Sequence, residues 1–110
     1  MPSGLRPKVT VYNGSAPGAN TDILAANVTP DRRSAWRVTV ALTTSSVFNV
    51  VATDDTTEHV WGLNASAALN AADLYTFTFG VTPTLSYNFQ VETDGVIELL
   101  LVEEAMGALI

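Results

Sequence analysis

The chain has 110 residues, a formal charge of −6 and no cysteine. The missing cysteines exclude a disulfide scaffold, a thiolate zinc site and cysteine catalysis, and the acidity argues against nucleic acid, because phosphate binding needs clustered Lys and Arg. With 47% hydrophobic and 15% charged residues, the chain is expected to fold as one domain around one core, and no apolar run approaches the ~20 residues of a membrane helix.

The N-terminus, Met1–Pro7, contains Pro and Gly, lacks strand periodicity and has no apolar stretch of signal-peptide length. It is expected to be an extended arm, with one domain over 8–110. Deleting residues 1–7 is then expected to shift the melting temperature little. Val9–Tyr12 and Ile23–Val28 are weak strand candidates, and Asn13-Gly14 and Pro17-Gly18 are turn signals.

Trp36–Leu42 alternates with period two: Trp36, Val38, Val40 and Leu42 share one face, and Arg37, Thr39 and Ala41 the other. Val47–Thr53 and His59–Leu63 follow as weaker strands around an Asp54-Asp55 turn. The stretch 64–73 reads as an arched connection between sheets rather than a helical turn. Tyr75, Phe77, Phe79 and Val81 form a second inward row. Leu85, Tyr87, Phe89 and Val91 form a third, with Ser86, Asn88, Gln90 and Glu92 outward. Asp94-Gly95 reads as a two-residue hairpin turn. Val96–Val102 is apolar on both faces, which fits a central strand or one covered by a partner.

About eight short antiparallel strands with turns between them predict an all-β fold, a sandwich or jelly roll. The segments Arg37–Asp55 and Tyr75–Gly95 repeat faintly, with Ser46 and Ser86 40 residues apart, each as strand, loop, strand, Thr-Asp turn and strand. Either two halves of a sandwich or common β-composition accounts for this.

Chemistry is sparse. His59 is the single histidine, and no nucleophile element or phosphate loop accompanies it, so no enzyme and no cofactor are expected. Asp54, Asp55 and Asp94 offer hard oxygen atoms for calcium, or serve simply as turn formers. Trp36, Phe48, Phe77, Phe79 and Phe89 suit a core, while Trp61 and Tyr12 suit a sugar-stacking surface.

Residues 1–40 hold five bases and two acids, a charge of +3. Residues 41–110 hold nine acids and no base, a charge of −9. Such asymmetry either solubilises the surface or orients a partner. The candidate partner-binding residues are Arg6, Lys8, Arg32 and Arg33 from the basic part, and the apolar terminus Leu109 and Ile110. Self-association is expected from that terminus and the two-faced Val96–Val102.

The stretch Trp36–Glu103 resembles small all-β virion proteins of tailed bacteriophages. The residues that carry the likeness are Ser46-Val-Phe-Asn-Val, Asp54-Asp-Thr-Thr-Glu, Gly62-Leu-Asn-Ala-Ser-Ala-Ala-Leu, Leu74-Tyr-Thr-Phe-Thr-Phe and Tyr87-Asn-Phe-Gln-Val-Glu-Thr-Asp. The resemblance implies a structural protein made in the host cytoplasm, of the capsid decoration (cement) type. It would bind the major capsid protein on the outer face of the shell and cluster with itself, as a trimer. No site residue transfers with it. The alternative from another class is a carbohydrate-binding sandwich on a tail or fibre.

Overall fold

Strand β2 (Ser34–Leu42) buries Trp36, Val38, Val40 and Leu42 completely. In the computed structural model, which describes residues 5–54, 56–64, 67–71 and 73–105, this row lies at the centre of a two-sheet sandwich. Sheet A runs β1 (Leu5–Ser15), β7 (Ile97–Ala105), β2 and β5 (Leu74–Val81). Sheet B runs β4 (Glu58–Gly62), β3 (Phe48–Thr53) and β6 (Ser86–Val91). All pairings are antiparallel.

The core lies between the sheets. Val38, Val40, Leu100 and Val102 from sheet A meet Phe48, Val50, Phe89 and Val91 from sheet B. Phe48 and Phe89 stack at 5.6 Å, and Trp36 packs on Tyr87 at 5.2 Å. Each such burial stabilises by about 1.5–3 kcal/mol before entropy is counted.

Seven strands form among the described residues, and the eighth expected one, Ile23–Val28, does not join a ladder. It runs bent along the free edge of β6: Asn20 N donates to Val91 O, Ile23 N to Phe89 O and Val28 N to Tyr87 O. The Asn88 side chain takes the place of a ladder rung, accepting from Leu24 N at 3.0 Å and donating to Leu24 O at 3.1 Å. The same segment covers Asn88 and Gln90, so both are buried although the alternation placed them outward.

Residues 5–7, expected in an arm, belong to a strand. Leu5, Arg6 and Pro7 are the first rungs of β1, opposite Ala105, Glu104 and Glu103. Pro7 does not stop this edge strand, because an edge tolerates a missing N–H. Asn13-Gly14 lies within β1, where the register against β7 shifts, rather than at a turn.

β7 is central, between β1 and β2. A register shift between Ala41 and Leu42 brings Ile97 inward beside Leu100 and Val102, which strict alternation does not anticipate. Asp94-Gly95 makes no hairpin, because β6 and β7 belong to different sheets. Gly95 lacks the positive φ that such a turn needs, and Gly18 alone among the described glycines has it.

The faint repeat has a structural counterpart. β2 leads across to β3, and β5 leads across to β6. β2 then pairs with β5, and β3 with β6. The copies diverge at the third strand. After Thr53 the chain turns back as β4 in the same sheet, whereas after Thr93 it crosses to β7. The 63–73 connection crosses from β4 to β5, as expected of an arch, pinned by buried Leu69, which bridges Ser46.

Candidate functional site

Two surfaces and one buried cluster carry the chemistry. The cluster forms because one inner row of sheet A reads Arg6, Glu104, Trp36 and Phe79 across the four strands. Glu104 is 1% exposed, which for a carboxylate demands partners. Its Oε2 accepts from the Trp36 indole N–H at 3.3 Å and from the Ser34 hydroxyl at 3.1 Å. Its Oε1 accepts from Arg6, and Lys8 Nζ stands 3.9 Å away. Arg6 also bonds Asp31, and Lys8 reaches the same carboxylate at 3.4 Å.

A bulge makes this convergence possible. Pro7 pairs with Glu103 and Val9 with Val102, so Lys8 is left without a rung. That turns both basic side chains toward Glu104. Burial by itself would raise the Glu104 carboxyl, but the bonds from Arg6, Trp36 and Ser34 and the Lys8 charge hold it below the ordinary carboxylate range. Bonds from Arg6 and Lys8 lower Asp31 likewise. The bond to Glu104, followed by that to Asp31, raises the Arg6 guanidinium.

The basic half of the chain therefore meets the acidic half inside the domain. Arg6 and Lys8, expected to reach a partner, have intramolecular partners. Arg37, on the outer face, grips Glu103 through Nε and Nη2 at 3.0 and 2.8 Å. Arg32 and Arg33 are exposed and take no ion-pair partner among the described residues. Leu109 and Ile110 lie outside the described residues. Glu104 itself escaped the sequence reading, although it shares parity with Leu100 and Val102.

The first surface is the outer face of sheet A. The register aligns Tyr12, Leu99, Ala41 and Leu74 in one row across all four strands. Its ends are the two most exposed large apolar side chains among the described residues, Tyr12 at 70% and Leu74 at 64%.

The second surface is a cleft of about 200 Å³ where the sheets part between β4 and β5, lined by Val50, Trp61, Leu63, Phe79, Gly80 and Tyr87. Trp61 is half-exposed, and His59 lies nearly parallel to it at 6.1 Å. The lining has no charged residue.

Asp54, in the β3–β4 turn, accepts from Thr57 N at 3.1 Å through its own carboxylate, as a turn former does. Asp55 lies outside the described residues. Among the described residues, no group of three His, Asp or Glu side chains gathers to hold a metal ion. No protein-family model, curated protein or solved structure matches the chain.

Proposed function

We propose that this protein is a non-catalytic structural component of a phage particle, a decoration protein that binds the outer face of the capsid shell and stabilises it. The observation that carries the reading is the apolar row Tyr12–Leu99–Ala41–Leu74 on the outer face of sheet A. It spans the sheet and is exposed at both ends, with Ala41 buried between them, on a body fixed by an ion network around buried Glu104. Large apolar side chains exposed on one sheet face offer an interaction surface. Each contact can be small, because a shell offers many copies of its site. The resemblance of Trp36–Glu103 to virion proteins supplies the partner, the major capsid protein.

The test is co-sedimentation with expanded heads of the encoding phage. Intact protein is expected to pellet with the heads and raise their resistance to heat. Replacing Tyr12 and Leu74 with Ser is expected to abolish both effects without unfolding the domain. Heads that pellet without the intact protein would overturn the reading.

A carbohydrate-binding module is the second reading, favoured by half-exposed Trp61 beside the cleft. It is weaker, because the uncharged lining offers few groups to bond sugar hydroxyls. Glycan binding lost in Trp61→Ala would establish it.

A further inference from the structure

A sheet edge is a template for another strand, and proteins blunt their edges with charge, proline, bulges, shortness or a covering segment. Three of the four edges here are managed. β1 carries Arg6, Pro7 and Lys8 and two register shifts. β4 has five residues and begins with Glu58. The edge of β6 is occupied by backbone bonds from Asn20, Ile23 and Val28.

Among the described residues, β5 has none of these devices. Its eight residues, Leu74–Val81, contain no charge and no proline, and its register against β2 is unbroken. Among the described residues, its ladder bonds go to β2 alone. Its inward row is also unfinished: Tyr75, Phe77 and Phe79 are only half-buried, although they face the core side.

We propose that the free edge of β5 pairs antiparallel with β5 of a second copy, joining two sheets A into one continuous eight-stranded sheet. β5 is self-complementary in one register. With Phe77 opposite its own copy, Tyr75 meets Phe79, so half-buried aromatic residues cover one another. Aromatic cross-strand pairs of this kind are stabilising. On the outer face Thr76 meets Thr78, and exposed Leu74 lies over Gly80, which has no side chain to obstruct it. No charge on β5 opposes the approach of two acidic chains. The cleft beside Phe79 and Gly80 opens on this same side and would be covered.

The symmetry has consequences. The pairing is two-fold, so it gives a dimer rather than the trimer that the resemblance implies. Both outer faces point the same way, so the two apolar rows become one wider surface. The pairing stands without the capsid reading, and its test needs no capsid.

The experiment is sedimentation of the full chain across the micromolar range, together with the double variant Thr76→Lys, Thr78→Lys. In the proposed register these exposed positions set Lys against Lys. The intact chain is expected to be dimeric, and the variant to dissociate at least tenfold more readily with an unchanged circular dichroism spectrum. A monomeric intact chain, or a dimer equally stable in the variant, would overturn the pairing.

Should the lysine variant not fold, Thr76→Cys and Thr78→Cys chains are mixed and oxidised. The natural chain has no cysteine, so any disulfide is the introduced one. Cross-linking between the two different variants, in excess over each with itself, is expected. Its absence would overturn the register and with it the proposal.

Discussion

Glu104 of β7 and Trp36 of β2 sit directly opposite one another, and the fully buried indole N–H donates to the carboxylate at 3.3 Å. This contact ties the largest core side chain to the one buried acid among the described residues. Arg6 and Lys8 then tie the N-terminal edge strand to the same carboxylate. The interior is thus specified by a polar network at one end of an apolar core.

Replacing Glu104 with Ala strands the Trp36 N–H inside the sandwich and leaves the Ser34 hydroxyl with only the Arg32 carbonyl, at 3.4 Å. A buried donor left unpaired costs about 1–3 kcal/mol, so Glu104→Ala is expected to lower the unfolding free energy by about 3 kcal/mol in urea titrations. Glu104→Gln retains an acceptor oxygen and should cost less.

The pH dependence has a definite sign. Glu104 and Asp31 are held below the ordinary carboxylate range in the folded state. Their contribution is full above the unfolded-state value, about 4.3 for Glu, and is lost as pH falls through the folded-state values. Thermal melts are expected to be flat from neutral pH to mildly acidic conditions and then to drop. Glu104→Gln should show a smaller acid drop than the natural chain.

Truncating residues 1–7 is expected to lower the melting temperature, contrary to the expectation for a free arm. The deletion removes three rungs of β1 and the Arg6 partner of Glu104. Arg6→Ala should move stability in the same direction, and Arg6→Lys should restore part of it. An unchanged melting temperature in the truncated chain would show that β1 begins to contribute only after Pro7.

Gly95 is held by space rather than by φ. A Cβ there would stand 3.1 Å from Ser46 Cβ and 3.5 Å from Val91 Cβ. Gly95→Ala is expected to destabilise by about 1–3 kcal/mol through overpacking, measured by urea unfolding.

The two-sheet architecture was legible in the sequence because strands that turn one face to a core alternate apolar and polar residues. Trp36–Leu42 and Tyr87–Val91 show that alternation in residue type, although Asn88 and Gln90 are buried as well. What escaped depends on partners distant in the chain. Nothing near Asn88 reveals that its amide stands in for a strand rung beside Leu24. Nothing near Asp94-Gly95 reveals that the chain there changes sheets instead of folding back. The charge asymmetry was visible, but its meaning required the register that brings Arg6 to Glu104 across 98 positions. Of the candidate surfaces, the apolar Val96–Val102 run announced one outer row, and Trp61 the cleft. The vulnerability of β5 emerged only once its neighbours in the sheet were known.

The proposal that this sandwich binds the outside of a phage shell is checked by electron cryomicroscopy of purified heads from a phage that carries this sequence. Sandwich-shaped density on the outside of the shell is expected, with the Tyr12–Leu74 face of sheet A against the major capsid protein. Mature heads that carry no such density, while remaining stable and infectious, would contradict it.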